Sequence, residues 1–108
     1  MSADDNCQQC FGILGRKLLL TPRPLQHLEV FVGELDVGGS TGHEAYAHGD
    51  SEELFVVLAG AVQLELGGDV HELEQGDSID YRSSTPHRVV NLGEDCAEVM
   101  WIISPPSY

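Results

Sequence analysis

A chain of 108 residues with 18 acidic and only 5 basic side chains carries a formal net charge of −13 at pH 7, a field that repels phosphate backbones and argues against direct nucleic-acid contact. The length allows one domain with a single core and is too short for two. No apolar run approaches the roughly 18 residues of a membrane-spanning helix, and the acidic start MSADDNCQQC lacks the basic-then-apolar order of a signal peptide, so a soluble, cytoplasmic protein is expected.

Residues 1–10 read as a flexible leader or a truncated linker, and residues 11–108 as the folded domain. Cys7 and Cys10 have the CxxC spacing of redox and zinc motifs, but no second pair follows, and three cysteines are too few to staple the domain. From Phe11 onward, turn signals recur at short intervals: TPRP (21–24), VGGSTG (37–42), HGDS (48–51), AG (59–60), GGD (67–69), EQGD (74–77), SSTP (83–86) and NLGED (91–95). The runs between them, about four to eight residues each, have the length of strands.

In chain order, HLEVFVGEL (27–35) and LFVVL (54–58) are apolar on both faces over much of their length and need cover on both sides. AVQLEL (61–66) alternates cleanly, with Val62, Leu64 and Leu66 on one face. Gly67-Gly68 predicts a tight hairpin into VHELE, because glycine supplies the positive φ that such turns require. EVMWII (98–103) is again two-faced, with Trp101 expected in the core or a dimer interface and Cys96 just before it as a small core residue. No segment holds a 3.6-residue apolar period over a helical length. The expectation is an all-β domain of eight or nine short strands closed as a sandwich or barrel.

Two spaced signatures lie on this pattern. The first runs His48, four residues, Glu53, six residues, Gly60; the second runs Gly76, five residues, Arg82, then His87, three residues, Asn91. Together they resemble the paired motifs of the cupin superfamily, G-x5-H-x-H-x3,4-E-x6-G and G-x5-P-x-G-x2-H-x3-N. The resemblance implies a cupin double-stranded β-helix (jelly-roll) barrel in which the motif histidines and glutamate hold one divalent metal. It assigns His48, Glu53 and His87 as metal ligands. Tyr46 stands where the first motif has its other histidine, and Arg82 and Ser84 replace the proline and inner glycine of the second. From about Leu18 to Tyr108 the wording, including GDSIDYRSSTPHRVVN and the SPPSY ending, is similar to the C-terminal domains of XRE-type helix-turn-helix regulators. That likeness implies a small-molecule-sensing effector domain whose DNA-binding domain lies outside these residues.

The residues support this chemistry on their own terms. Glu53 shares a strand face with Phe55 and Val57, where a carboxylate needs a cation or a hydrogen-bonding partner. His87 shares a face with Val89 and Asn91. If the two strands are neighbours, His48, Glu53 and His87 converge at metal-bond distances of roughly 2.0 to 2.2 Å. Such a His2Glu set leaves positions open for a small molecule and suits Zn, Ni, Mn or Fe. Against it, a histidine and a glutamate flanking a GDSE turn are commonly solvated. Tyr46 leaves three roles open: a phenol ligand, a donor to a bound anion, or a plug. Tyr46, Phe55, Val57 and Val89 are the expected pocket.

Elsewhere, His43 and Glu44 read as an exposed loop pair, His27 as surface or interface, and His71 as an inward residue bonded to backbone. Arg82 and Arg88 are expected to pair with the surplus acids rather than with an anionic ligand. Three functions remain in view: the sensing module; a freestanding metal-dependent enzyme of dioxygenase or isomerase type, disfavoured by Tyr46 and by the lack of a second base; and a metal-free barrel that dimerises. A small-molecule ligand and a homodimer, paired through strands 27–35 and 98–103, are the expected partners, with no membrane and no direct DNA contact.

Overall fold

The computed structural model describes residues 9–10, 13–21, 27–42 and 49–106. Among these there are nine strands and no helix: β1 (Gln9–Cys10), β2 (Ile13–Leu19), β3 (Glu29–Ser40), β4 (Glu52–Ala59), β5 (Ala61–Leu66), β6 (Asp69–Glu74), β7 (Ser78–Arg82), β8 (His87–Val90) and β9 (Ala97–Ser104). No helix of the described residues is therefore long and apolar enough to cross a membrane.

The strands follow one antiparallel order, β6-β5-β8-β3-β9-β4-β7, with β2 added to β3 and β1 to β2. The device that closes this sheet into a barrel is β3. Its first part, Glu29 to Leu35, is laddered to β9, whereas its far end pairs with β8 at Ser40↔Val90. One strand thus belongs to both walls. The VGGSTG stretch, expected to be a turn, continues β3 to Ser40 instead: Gly38 sits at φ 82° and bends the strand without ending it. At the other side, the turn between β6 and β7 closes on β4, through Gly76 N–H donating to Val57 O (2.9 Å) and Gln75 N–H donating to Gly60 O (3.0 Å).

The two glycines of the paired motifs have structural reasons. Gly76 turns at φ 92°, and Gly60 at φ 80° lies where a Cβ would come within 3.0 Å of the Cys96 carbonyl oxygen. Asn91 is equally structural. Its Nδ2 donates to Leu35 O (2.9 Å) and Asp95 O (2.8 Å), while its Oδ1 accepts from Gly93 N (2.9 Å). It pins the bend of β3 to the loop that leads into β9. The hairpin expected at Gly67-Gly68 joins β5 to β6, with both glycines at positive φ and Leu66 opposite Asp69.

Alternation sorts the side chains. Phe55 and Val57 of β4, Val62 and Leu64 of β5, Val89 of β8, and Val99, Trp101 and Ile103 of β9 point inward and form the buried core with Leu35 and Tyr81. Register stacks Phe31, Trp101, Phe55 and Ile79 across four strands, and the Phe55 and Trp101 rings meet at 5.7 Å between centroids. Gly33 makes room for that indole, since a Cβ there would lie 2.6 Å from Trp101 Cζ3. The outer face of the same wall is also apolar, aligning Leu18, Val32, Met100 and Val56 in one row and Val30, Ile102 and Leu54 in the next. This is the two-faced character read from residues 27–35 and 98–103.

Two further expectations shift. Cys96 is exposed rather than in the core, because burial on this segment begins one residue later, at Ala97. Partial burial, with Glu34 and Asp36 close by, pushes its thiol pKa up, so it is a poor thiolate. Pairing also reaches into the expected leader, with Gln9 opposite Lys17 and Cys10 opposite Arg16; Cys7 lies outside the described residues.

Candidate functional site

Strand β4 carries Glu53 on its inner face, opposite Tyr81 of β7 and Ile103 of β9. The carboxylate is 2% exposed and anchored at both oxygens: Tyr81 Oη donates to Oε1 (3.1 Å) and Ser83 Oγ donates to Oε2 (2.6 Å). Ser83, fully buried, is itself held by its backbone N–H donating to Ser51 O at 2.7 Å. Two hydroxyl donors of this kind supply part of the solvation that burial removes from a carboxylate.

His87 opens β8 and is 1% exposed. Its Nδ1 lies 2.7 Å from the Thr85 carbonyl oxygen. A carbonyl can only accept, so Nδ1 carries the proton, and in the neutral ring Nε2 then keeps its lone pair. That Nε2 faces Glu53 Oε2 at 3.9 Å, and the imidazole leans on the Tyr81 ring with centroids 4.8 Å apart. The expected meeting of Glu53 and His87 is therefore present, by a different route from the one assumed. Strand β8 is laddered to β3 and β5, not to β4; the two residues meet across the barrel interior, one from each wall.

His48 and Tyr46 lie outside the described residues, as do His43 and Glu44. Among the described residues no group of three His, Cys, Asp or Glu side chains is assembled for a metal. The two donors present nevertheless have the right chemistry. One is an imidazole nitrogen whose partner N–H is fixed on a carbonyl, the usual arrangement behind a ligating histidine, and the other is a carboxylate oriented by hydrogen bonds. They fit two positions of a His2Glu site and need a third ligand to complete it.

Of the expected pocket, Phe55, Val57 and Val89 face inward and are buried. A separate groove of about 400 Å³ runs over β5 and β6, lined by Ala61, Gln63, Glu72, Glu74, Asp77 and Leu92 among others, and contains neither Glu53 nor His87. Arg82 pairs with Asp50 and Arg88 with Glu65, as their acidic surroundings suggested. His27 is exposed and His71 half-buried on β6.

Three interior groups escaped the sequence. Tyr81 looked like one more strand residue, and Ser83 like part of the SSTP turn. Lys17, in the run RKLLL, faces inward with its Nζ 3.9 Å from the Phe31 ring centroid and 5.6 Å from that of Trp101. Burial lowers its pKa, against the upward pull of Glu29 and Glu53. Its two neighbours, Arg16 and Leu18, point outward, to Asp36 and beside Val32, but one is polar and the other apolar, so no alternation in the sequence marks Lys17 as inward.

A family model for the cupin domain matches residues 31–103, a span that runs from within β3 to within β9 and contains both signatures. The chain belongs to the cupin domain family. A curated relative, the uncharacterized protein MJ1618 of Methanocaldococcus jannaschii, is 30% identical over 61 residues, 56% of this chain and 49% of that protein. The chain spans about half the length of the curated relatives it matches. Among solved structures, KdgF from Halomonas sp. superposes with a TM-score of 0.78 at 22% identity, covering 94% of this cupin and 88% of that chain. The cupin domain of an XRE family transcriptional regulator from Enterobacter cloacae gives 0.77 at 19%, covering 86% and 98%. A sugar phosphate isomerase of the cupin superfamily from Silicibacter pomeroyi gives 0.75 at 19%, covering 94% and 70%. At these identities the likeness is one of fold; regulator domains and an isomerase share this cupin's barrel.

Proposed function

We propose that this cupin is the small-molecule-sensing effector domain of a bacterial transcriptional regulator, working in the cytoplasm and leaving DNA contact to an attached helix-turn-helix domain. The observation that carries the reading is the buried pair Glu53 and His87, one from each wall, with His87 Nδ1–H fixed on Thr85 so that Nε2 faces the carboxylate. Completed by His48, the pair would hold one divalent ion (Zn, Ni, Mn or Fe), which supplies Lewis acidity and open coordination positions when bound. The chain's own residues do the rest. Tyr81 and Ser83 hold the carboxylate in place, Phe55, Val57 and Val89 present an apolar wall, and Tyr46 would complete the ligand pocket. The likeness to the regulator domain of Enterobacter cloacae, covering 98% of it, and the charge of −13 support this reading. The apolar outer rows around Met100 and Ile102 suit a homodimer. Ligand binding shifts such a module only if affinity differs between two states, and a site spanning two walls is built to distinguish them.

The barrel shared with a sugar phosphate isomerase, together with the interior Lys17 and Tyr81, favours a second reading, a small metal-dependent enzyme of isomerase or dioxygenase type. The coding sequence immediately upstream separates the two: a helix-turn-helix there supports the sensor, and none overturns it as framed. For the metal, elemental analysis of protein purified without chelators is expected to give one ion per chain, lost in His87→Ala and Glu53→Gln and falling below about pH 6, where histidine protonates. Sub-stoichiometric metal unaffected by His87→Ala would overturn the metal assignment.

A further inference from the structure

The groove of about 400 Å³ over β5 and β6 joins two kinds of surface. Ala61, Val62, Leu73 and Leu92 line it with apolar groups, and Glu72, Glu74 and Asp77 line it with carboxylates. Leu92 is 67% exposed, the most exposed large apolar side chain among the described residues. It has company. Gly38 N–H donates to Asn91 O at 2.9 Å, which brings Val37, itself exposed, onto backbone next to that of Leu92. Leu14, exposed at the bulge of β2, lies across the same bend of β3. An apolar shoulder thus leads through Leu92 into the groove, and grouped apolar exposure of this kind marks an interaction surface where a lone leucine would not.

We propose that this groove docks a basic amphipathic segment of a partner protein, its apolar side on Leu92 and the shoulder, its lysines or arginines against Glu72, Glu74 and Asp77. Charge selects the occupant. Asp36, Asp50 and Glu65 are each paired with an arginine, whereas among the described residues no basic side chain pairs with the three groove carboxylates. A second copy of this chain would bring 18 acidic and only 5 basic residues to the same place, setting like charge against like. Asp77 is oriented before any partner arrives, because its Oδ2 accepts from Glu74 N–H at 2.9 Å. Apolar anchors from one face of a helix, with flanking cations, suit a groove of this size and lining. Docking here needs neither a metal nor a ligand in the barrel interior.

The probe is a fluorescein-labelled peptide of the pattern Leu-Lys-Lys-Leu-Leu-Lys-Lys-Leu, whose leucines share one helical face. Its binding to the full-length protein is followed by anisotropy at physiological salt, beside a peptide with glutamine for lysine, one with serine for leucine, and spermidine as competitor. Wild type is expected to bind the first peptide at least about fivefold more tightly than either altered peptide. Glu72→Gln/Glu74→Gln and, separately, Leu92→Ser are each expected to weaken it by about as much. Glu52→Gln/Asp80→Asn removes the same charge from β4 and β7 and is expected to change affinity less than about twofold. All these positions are exposed, so the variants are expected to fold, which circular dichroism checks. Equal weakening by the two double variants would mean attraction by net charge alone and would overturn the proposal. So would no binding, equal binding of either altered peptide, or no effect of Leu92→Ser. Displacement by spermidine at concentrations matching the peptide's own Kd would give the groove to a small cation. A dimer in sedimentation that Leu92→Ser dissociates would give it to a second copy, and either result overturns the partner segment.

Discussion

Replacing Asn91 by aspartate exchanges a single group, an amide nitrogen for a carboxylate oxygen. The asparagine Nδ2 donates to two carbonyls, Leu35 O at 2.9 Å and Asp95 O at 2.8 Å, in a fully buried position. In Asn91→Asp an acceptor oxygen takes the place of that donor. Two hydrogen bonds of about 1 kcal/mol each are lost, and a buried charge facing two carbonyl dipoles adds a few kcal/mol more. The expected destabilisation is about 3–5 kcal/mol at pH 7, a large share of the roughly 5–15 kcal/mol typical of a whole domain. Asn91→Ala, which creates no charge, is expected to cost about 2–3 kcal/mol. The sign of the pH dependence separates them. Burial beside acceptors raises the introduced carboxyl's folded pKa above its unfolded value of about 3.9. The charge penalty is therefore absent below about pH 4 and grows as pH rises towards 7. Urea unfolding of both variants and wild type between pH 4 and pH 7 is the assay, with metal content per folded chain measured alongside. An Asn91→Asp gap that is small at pH 7, or constant with pH, would refute the reasoning. A folded variant that loses metal would refute the assignment of Asn91 to the fold alone.

Gly33→Ala puts a Cβ 2.6 Å from Trp101 Cζ3, so a loss of about 1–3 kcal/mol from overpacking and a shift of the Trp101 emission maximum are expected; an unchanged spectrum would show that the indole is not where it is described. Ser83→Ala removes the 2.6 Å bond to Glu53 Oε2 and should lower stability by about 1.5–3 kcal/mol in urea unfolding, the range for a hydrogen bond to a charged group. At the surface, the hydrogen bond from Arg16 holds the Asp36 carboxyl below its usual pKa. Its contribution is therefore present above the unfolded pKa of about 3.9 and lost as pH falls through the lower folded value. Asp36→Asn should accordingly be slightly less stable than wild type at pH 7, equal to it in strong acid, and closer to it in high salt.

The inward direction of Glu53 was legible because Phe55 and Val57 repeat it at period 2, and that of His87 because Val89 and Asn91 do. The hairpin at Gly67-Gly68 was legible because two glycines between alternating strands supply the positive φ of a tight turn. What stayed hidden depends on contacts distant in the chain. The glycines of VGGSTG read as a stop, yet pairing with Val90 and Asn91, some fifty residues on, carries β3 through them as a bend. Ser83 read as a turn residue because its partner, Glu53, lies 30 positions away. Lys17 was hidden by local composition, since RKLLL shows no clear alternation until Gly33 and Trp101 are placed beside it. Cys96 was misjudged by a single residue, a margin that strand periodicity cannot resolve at a loop boundary.

The ladder between β3 and β9 pairs Glu29 with Ile103 and Leu35 with Ala97, which places the middle of one wall under the control of segments near opposite ends of the domain. Assembly of the barrel must therefore wait for the final strand. During synthesis, β3 and β4 stay without the strand that lies between them until residues 97–104 have left the ribosome, and their apolar outer and inner rows are exposed for that time. Such long-range pairing belongs to the slow class of two-state folders, in the range of milliseconds to seconds. A chain cut before Ala97 would lack the strand that joins β3 to β4, the strand of Glu53.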